Sequence, residues 1–152
     1  YETAQTSGPI ITKYSLSEDQ RRKIRILLAE DNKINQKVAL KMLNKIGFRA
    51  DAVTNGQDAV DAVKKEYYDL VLMDCQMPVM DGYDATEKIR KSNAESKNPS
   101  IPIIAMTAHA MKGDKDKCLS VGMNDYLSKP VKPKALADML EKWITLKKTN
   151  SK

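Results

Sequence analysis

Aromatic residues make up only 5% of the 152 residues, which argues against a surface that binds nucleic acid by stacking bases on rings. The two cysteines, Cys75 and Cys118, form neither a CxxC pair nor a disulfide framework. They read as small core residues of a protein kept in a reducing compartment. The six glycines, at 8, 47, 56, 82, 113 and 122, build neither GxGxxG nor a Walker loop, which excludes the glycine-rich nucleotide cradles. No apolar run exceeds four residues, as in Leu70-Val71-Leu72-Met73, so no stretch is long enough to span a bilayer. The chain opens at Tyr1 and shows no charged-then-apolar leader, so it reads as an excised or processed piece.

What remains is a balance of 41% apolar and 30% charged residues, that of a folded domain rather than a disordered chain. The size suits one domain with one hydrophobic core. The net charge of +6 suggests a nucleic-acid footprint until it is divided along the chain. Residues 1–23 hold four basic and three acidic groups, and 147–152 hold three lysines and no acid. Only +2 is left for residues 24–146, so the basicity sits mostly in the tails and identifies no partner.

Residues 1–23 are polar, without period, and end in Arg21-Arg22-Lys23, the pattern of a flexible linker. From Ile24, short apolar runs alternate with segments of helical period. Strands are expected over 24–29, 48–53, 69–73, 103–106 and 125–128. Ile34, Val38, Met42 and Ile46 recur every four residues, one face of a helix that Gly47 would close. Asn55-Gly56 marks a turn into a helix containing Ala59, Val60 and Val63. Further helices are expected over 82–91, about 111–121, and from Pro133, with a polar loop over 92–100. Met42, Met73, Met106 and Met139 take core-facing positions. Five strands alternating with five helices call for an α/β fold, a parallel sheet covered on both faces. Residues 24–146 form that domain and 147–152 a basic tail.

In an open parallel sheet, ligands gather at the carboxyl ends of the strands. The first strand ends in Glu30-Asp31, the third in Asp74, the fourth in Thr107 and the fifth in Lys129. Three carboxylates, a hydroxyl and an ammonium would thus converge on one edge. Clustered carboxylates repel one another unless a cation relieves them. An all-oxygen donor set suits Mg²⁺. Taken singly, such acids often only cap the next helix, as Asn32 and Asp81 are expected to do. Four strand ends filled in this way are not explained by capping.

The runs Leu28-Ala29-Glu30-Asp31-Asn32, Met73-Asp74-Cys75-Gln76-Met77-Pro78-Val79-Met80-Asp81-Gly82, Thr107-Ala108 and Leu127-Ser128-Lys129-Pro130 carry a family resemblance. Over 24–146 the chain resembles the receiver domain of response regulators in two-component phosphorelays. The Glu-Asp-Asn form, followed by Asn35-Gln36, is similar to receivers of hybrid histidine kinases. The resemblance implies a flavodoxin-like (βα)5 fold with strand order 2-1-3-4-5. It implies that Asp74 accepts a phosphoryl group from phosphohistidine, on a kinase core or a histidine-phosphotransfer protein. Asp31, Asp74 and the backbone carbonyl of Gln76 would ligate Mg²⁺, or Mn²⁺ in its place, with Glu30 acting through water. Thr107 and Lys129 would hold phosphoryl oxygens, and Lys129-Pro130 matches a bond that is cis in the family. Thr107 and Tyr126 would form the switch, and Gln76 and His109 would flank the path of a hydrolytic water. On the same grounds the segment would lie in the cytoplasm, or be the cytosolic part of a membrane-bound sensor. It would make no direct contact with nucleic acid or membrane.

Other readings compete. Haloacid-dehalogenase-type hydrolases also form a phosphoaspartate with Mg²⁺, but need a carboxylate two residues after the nucleophile. Here Gln76 stands there, and an amide cannot transfer that proton. A phosphorylation-independent scaffold would not need every site residue, and none is missing. The six residues after Leu146 are too few for a DNA-binding effector. Taken alone, the domain would show at most self-phosphorylation and autodephosphorylation, whether or not its parent is a histidine kinase. His109, the only histidine, reads most simply as a solvated loop residue.

Overall fold

Leu70–Asp74 is buried at every position, as a nearly continuous apolar strand must be when both faces of a parallel sheet are covered. The computed structural model describes residues 16–91, 97–98, 100–108 and 112–150. In chain order these form α1 (Glu18–Lys23), β1 (Arg25–Ala29), α2 (Lys33–Ile46), β2 (Arg49–Val53), α3 (Gly56–Lys65) and β3 (Leu70–Asp74). There follow α4 (Gly82–Lys91), β4 (Ile103–Thr107), α5 (Lys112–Val121), β5 (Asp125–Ser128) and α6 (Pro133–Asn150). The strands are all parallel, in the order β2-β1-β3-β4-β5, as the resemblance implies.

The period of two along each strand divides the core. Leu27, Ala29, Val71, Met73, Ile103 and Ala105 face one side, where they meet Ala59, Val60 and Val63 of α3 and Ala85 and Ile89 of α4. Ile26, Leu28, Leu70, Leu72, Ile104 and Met106 face the other, against Leu43 of α2 and Leu136, Leu140 and Ile144 of α6. Cys75 and Cys118 are buried in the first cluster and unbridged. Strand order reverses between β1 and β3, so their carboxyl ends flank the crevice of the fold.

Two segments differ from expectation. Of the expected linker 1–23, residues 1–15 lie outside the described residues, but 16–23 are docked structure. The Ser17 hydroxyl accepts from the Gln20 amide at 3.1 Å, and the Gln20 side chain accepts from the Ser17 amide at 2.8 Å. That reciprocal cap starts α1 without any apolar period. Leu16 and Ile24, at its two ends, are buried against the α6 side of the core. The Leu16 amide donates to Glu141 Oε1 at 2.9 Å, and Arg21 Nη1 to the Ile46 carbonyl at 2.9 Å. The basic tail expected over 147–152 also differs, since α6 runs on to Asn150. No Gly or Pro stops it. The loop expected over 92–100 falls largely outside the described residues. Among those described, no helix is long and apolar enough to cross a membrane.

The apolar stripe of α2 is wider than its core face. Leu43 is its buried residue, while Ile34 is 73% and Val38 47% exposed. The period-four face read from the sequence exists, but its first half looks outward.

Candidate functional site

β1 and β3 end side by side, in register from Ile26↔Leu70 to Ala29↔Met73. Glu30 and Asp31 therefore leave the sheet next to Asp74. One carboxylate oxygen from each of the three lies within 4.8 Å of the others. Glu30 and Asp74 are buried, Asp31 is exposed. β4 brings the buried Thr107 to the same edge, and the Thr107 carbonyl accepts from the Lys129 amide at 2.8 Å. These residues, with Gln76, line a cleft of about 240 Å³. The five residues named at the strand ends are brought together, and the Lys129-Pro130 bond is cis.

The Lys129 ammonium donates to Asp74 Oδ2 at 2.8 Å and to Glu30 Oε1 at 3.0 Å. The remaining oxygens are also held: Asp74 Oδ1 accepts from the Gln76 amide at 3.2 Å, and Glu30 Oε2 from the Asn32 amide at 3.1 Å. Burial pushes the Glu30 carboxyl up, partly countered by the Asn32 amide and Lys129. Burial works against the charge of Lys129, but its hydrogen bonds to Asp74 and Glu30 outweigh this and hold its pKa above the usual value. An ammonium shared by two carboxylates is the stable arrangement of like charges brought so close.

Caps fix the loops around the cleft. Asn32 Oδ1 accepts from the Asn35 amide at 2.9 Å and Asp81 Oδ1 from the Asp84 amide at 2.9 Å, as expected. Sequence reasoning did not find the bracing role of Gln36. Its side-chain amide donates to the Glu30 carbonyl at 3.0 Å and the Val53 carbonyl at 3.3 Å, tying α2 to the ends of β1 and β2. A polar residue one turn beyond an N-cap was the available signal. Tyr126 is half-buried and packs against the α3–α5 side of the core, with Lys115 Nζ 5.6 Å from its ring centre. Leu127 joins the opposite side. His109 lies outside the described residues.

The cluster fits a hard divalent cation: three carboxylates, from Glu30, Asp31 and Asp74, with all-oxygen donor atoms. Glu30 and Asp74 each have one oxygen on the Lys129 ammonium and the other on a backbone amide, while Asp31 is exposed at the cleft. Such a cation beside Asp74 would supply positive charge for a phosphoryl group approaching a carboxylate.

The chain is similar to several known proteins. Hybrid signal transduction histidine kinase B of Dictyostelium discoideum is 52% identical over 116 residues, covering 71% of this chain and 6% of that protein. Sensor protein GacS of Pseudomonas syringae pv. syringae is 47% identical over 122 residues, covering 80% of this chain and 14% of GacS. The chain thus spans a small part of the length of these relatives. Among solved structures, the receiver domain of sensor histidine kinase PA1611 from Pseudomonas aeruginosa PAO1 holds a magnesium ion in its active-site cleft. It is 46% identical, with TM-score 0.73, covering 80% of this chain and 98% of that one. The receiver domain of Ssk1, solved with the histidine phosphotransfer protein Ypd1 of Saccharomyces cerevisiae, is 36% identical. Its TM-score is 0.76, over 82% of this chain and 90% of that one. The family model described as the response regulator receiver domain matches residues 26–141. With the sheet order, the acidic cleft and this match in agreement, the chain belongs to the response regulator receiver family of two-component phosphorelays.

Proposed function

We propose that Asp74 is the phosphoryl acceptor, that Mg²⁺ assists it from Asp31, Asp74 and the Gln76 carbonyl, and that the donor is a phosphohistidine. A carboxylate oxygen of Asp74 forms the new O–P bond while the N–P bond of the donor breaks. The imidazole keeps that electron pair and takes a proton from water. The observation that carries this reading is the Lys129 ammonium 2.8 Å from Asp74 Oδ2. It offsets the repulsion between nucleophile and incoming phosphoryl group, at a carboxylate that is itself buried. Mg²⁺ supplies further charge neutralisation when bound. Thr107 stands beside the acceptor to donate its hydroxyl to the transferred group.

The donor is a histidine-phosphotransfer protein or a kinase core, and the parent is a cytosolic or membrane-anchored hybrid histidine kinase. Support for a protein donor comes from a groove of about 330 Å³ adjoining the cleft, bordered by Val38, Ala39, Met42, Pro130 and Val131 and reaching Glu30 and Lys129. With the exposed Ile34 and Val38, it offers apolar area next to the acceptor, where a donor helix would bring its histidine. Residues 24–146 act as the unit that carries the site. Transfer of label from a phosphorylated histidine-phosphotransfer protein, with and without a chelator, tests the reading. Metal-dependent labelling of the chain supports it. Labelling indifferent to the chelator contradicts it.

A hydrolase of the haloacid-dehalogenase type remains disfavoured, because the Gln76 amide offers no proton to a leaving group.

A further inference from the structure

Gly56, at the start of α3, lies on a different element from every residue of the cleft. Its amide nevertheless donates to the Met80 carbonyl at 2.9 Å, in the loop between β3 and α4. The approach is so close that a Cβ on Gly56 would sit 2.3 Å from the Met80 oxygen, 2.9 Å from its carbonyl carbon and 3.0 Å from the Asp81 oxygen. All three are backbone atoms, so no side-chain rotation could make room. The loop would have to move.

That loop has little freedom to absorb a shift. The Gly82 amide donates to the Cys75 carbonyl at 3.1 Å, closing its far end, and the Met80 amide donates to the Pro78 carbonyl at 2.6 Å. Val79 holds a left-handed φ of 67°, strained for a β-branched residue. At its near end, the Gln76 amide orients Asp74 Oδ1. Gly56 therefore presses on a short bridge whose other end sets the acceptor carboxylate and carries the Gln76 carbonyl.

We propose that Gly56 is a positioning residue for metal-assisted phosphoryl acceptance. Its bare backbone lets α3 close on Met80 and so fixes the 76–81 loop against Asp74. The inference rests on the reading of Asp74, Asp31 and Gln76 as a Mg²⁺ site. Gly56 itself is not left-handed, so Gly56→Ala introduces a packing conflict without forbidden backbone angles, in a helical turn that alanine otherwise favours. Gly113→Ala in α5 is the control, since a Cβ there meets nothing within 4 Å.

Calorimetric titration with Mg²⁺ alone tests the inference. For Gly56→Ala, with cooperative unfolding retained, the dissociation constant should rise by about ten- to a hundredfold, as for lost support around a metal ligand. Gly113→Ala should match the parent. Parent-like Mg²⁺ affinity in Gly56→Ala overturns the positioning role, while the metal site itself stands. A parent chain that binds no Mg²⁺ overturns the site and the inference with it. Should Gly56→Ala not fold, the unmodified chain decides. Mg²⁺ should shift the Gly56 amide resonance and leave that of Gly113 in place, and an unmoved Gly56 rejects the proposal.

Discussion

Lys129 Nζ lies 2.8 Å from Asp74 Oδ2 on a side chain that is three-quarters buried, so the proposed acceptor is already paired with a cation in the resting state. The same ammonium reaches Glu30 at 3.0 Å. Lys129 thus stands where a transferred phosphoryl group needs positive charge, and its present bonds keep two buried carboxylates compatible. Because both partners are fixed by backbone amides, the lysine is the mobile member and can follow the charge from carboxylate to phosphoryl oxygen.

Lys129→Met should slow acceptance from acetyl phosphate by about 10²- to 10³-fold, the loss typical of a removed transition-state donor. Mg²⁺ binding should persist, since the change frees carboxylate oxygens rather than removing them. Initial rates and a Mg²⁺ titration check both halves. A parent-like rate would assign Lys129 a purely structural part.

Ile34→Ala and Val38→Ala remove exposed apolar groups, so stability should change by no more than about 0.5 kcal/mol. Acceptance from acetyl phosphate should be unaltered. Transfer from a phosphorylated histidine-phosphotransfer protein should slow several-fold through a raised KM. Unchanged transfer would place the donor elsewhere. For contrast, Leu43→Ala, on the same helix but fully buried, should cost about 2–5 kcal/mol in chemical denaturation.

Thr107 and Tyr126 supply the proposed switch. A phosphoryl group on Asp74 adds charge and acceptor oxygens beside the Thr107 hydroxyl. Drawing that residue inward shifts the balance between packed and outward states of the half-buried Tyr126 ring, and so the surface of α5, β5 and α6. Thr107→Ala should still accept phosphate on Asp74 while losing most of the amide shifts around Tyr126, Leu127 and α5 that a phosphoryl mimic induces. A full response in Thr107→Ala would reject the coupling.

Tyr68 gives a pH dependence remote from the cleft. Burial, and its hydrogen bond at 2.7 Å to Asp51 Oδ2, push the phenol from 10.0 up to about 12. A raised folded-state pKa means that its stabilisation is complete below pH 10 and is lost as pH climbs toward 12. The denaturation midpoint should therefore fall over that window in the parent. The fall should be shallower in Tyr68→Phe. Parallel profiles would show that other groups carry the alkaline loss.

The sheet and the cleft were legible because both write themselves in short, local signals. A buried parallel strand is an apolar run, and a strand-end acid follows it directly, so Asp74 after Leu70–Met73 needs no knowledge of the tertiary fold. The docked segment at 16–23 was not legible by periodicity, because α1 is held by its ends and by Arg21 rather than by an apolar face. Its local traces were the Ser17–Gln20 spacing and the acid-to-base order from Glu18 and Asp19 to Arg21, Arg22 and Lys23. The exposure of Ile34 and Val38 could not be read either, since period alone does not say which half of a stripe meets the sheet. Nor could the Gly56–Met80 closure. It depends on two loops meeting at the sheet edge, and Asn55-Gly56 looks like any turn until Met80 is placed against it.

The acceptor assignment is tested most directly by incubating the chain with acetyl phosphate and Mg²⁺ and locating the added phosphoryl group by peptide mass. The account predicts one group, on Asp74, released by hydroxylamine as an acyl phosphate and absent from Asp74→Asn. A stable group on a serine or on His109, or undiminished labelling of Asp74→Asn, would contradict it.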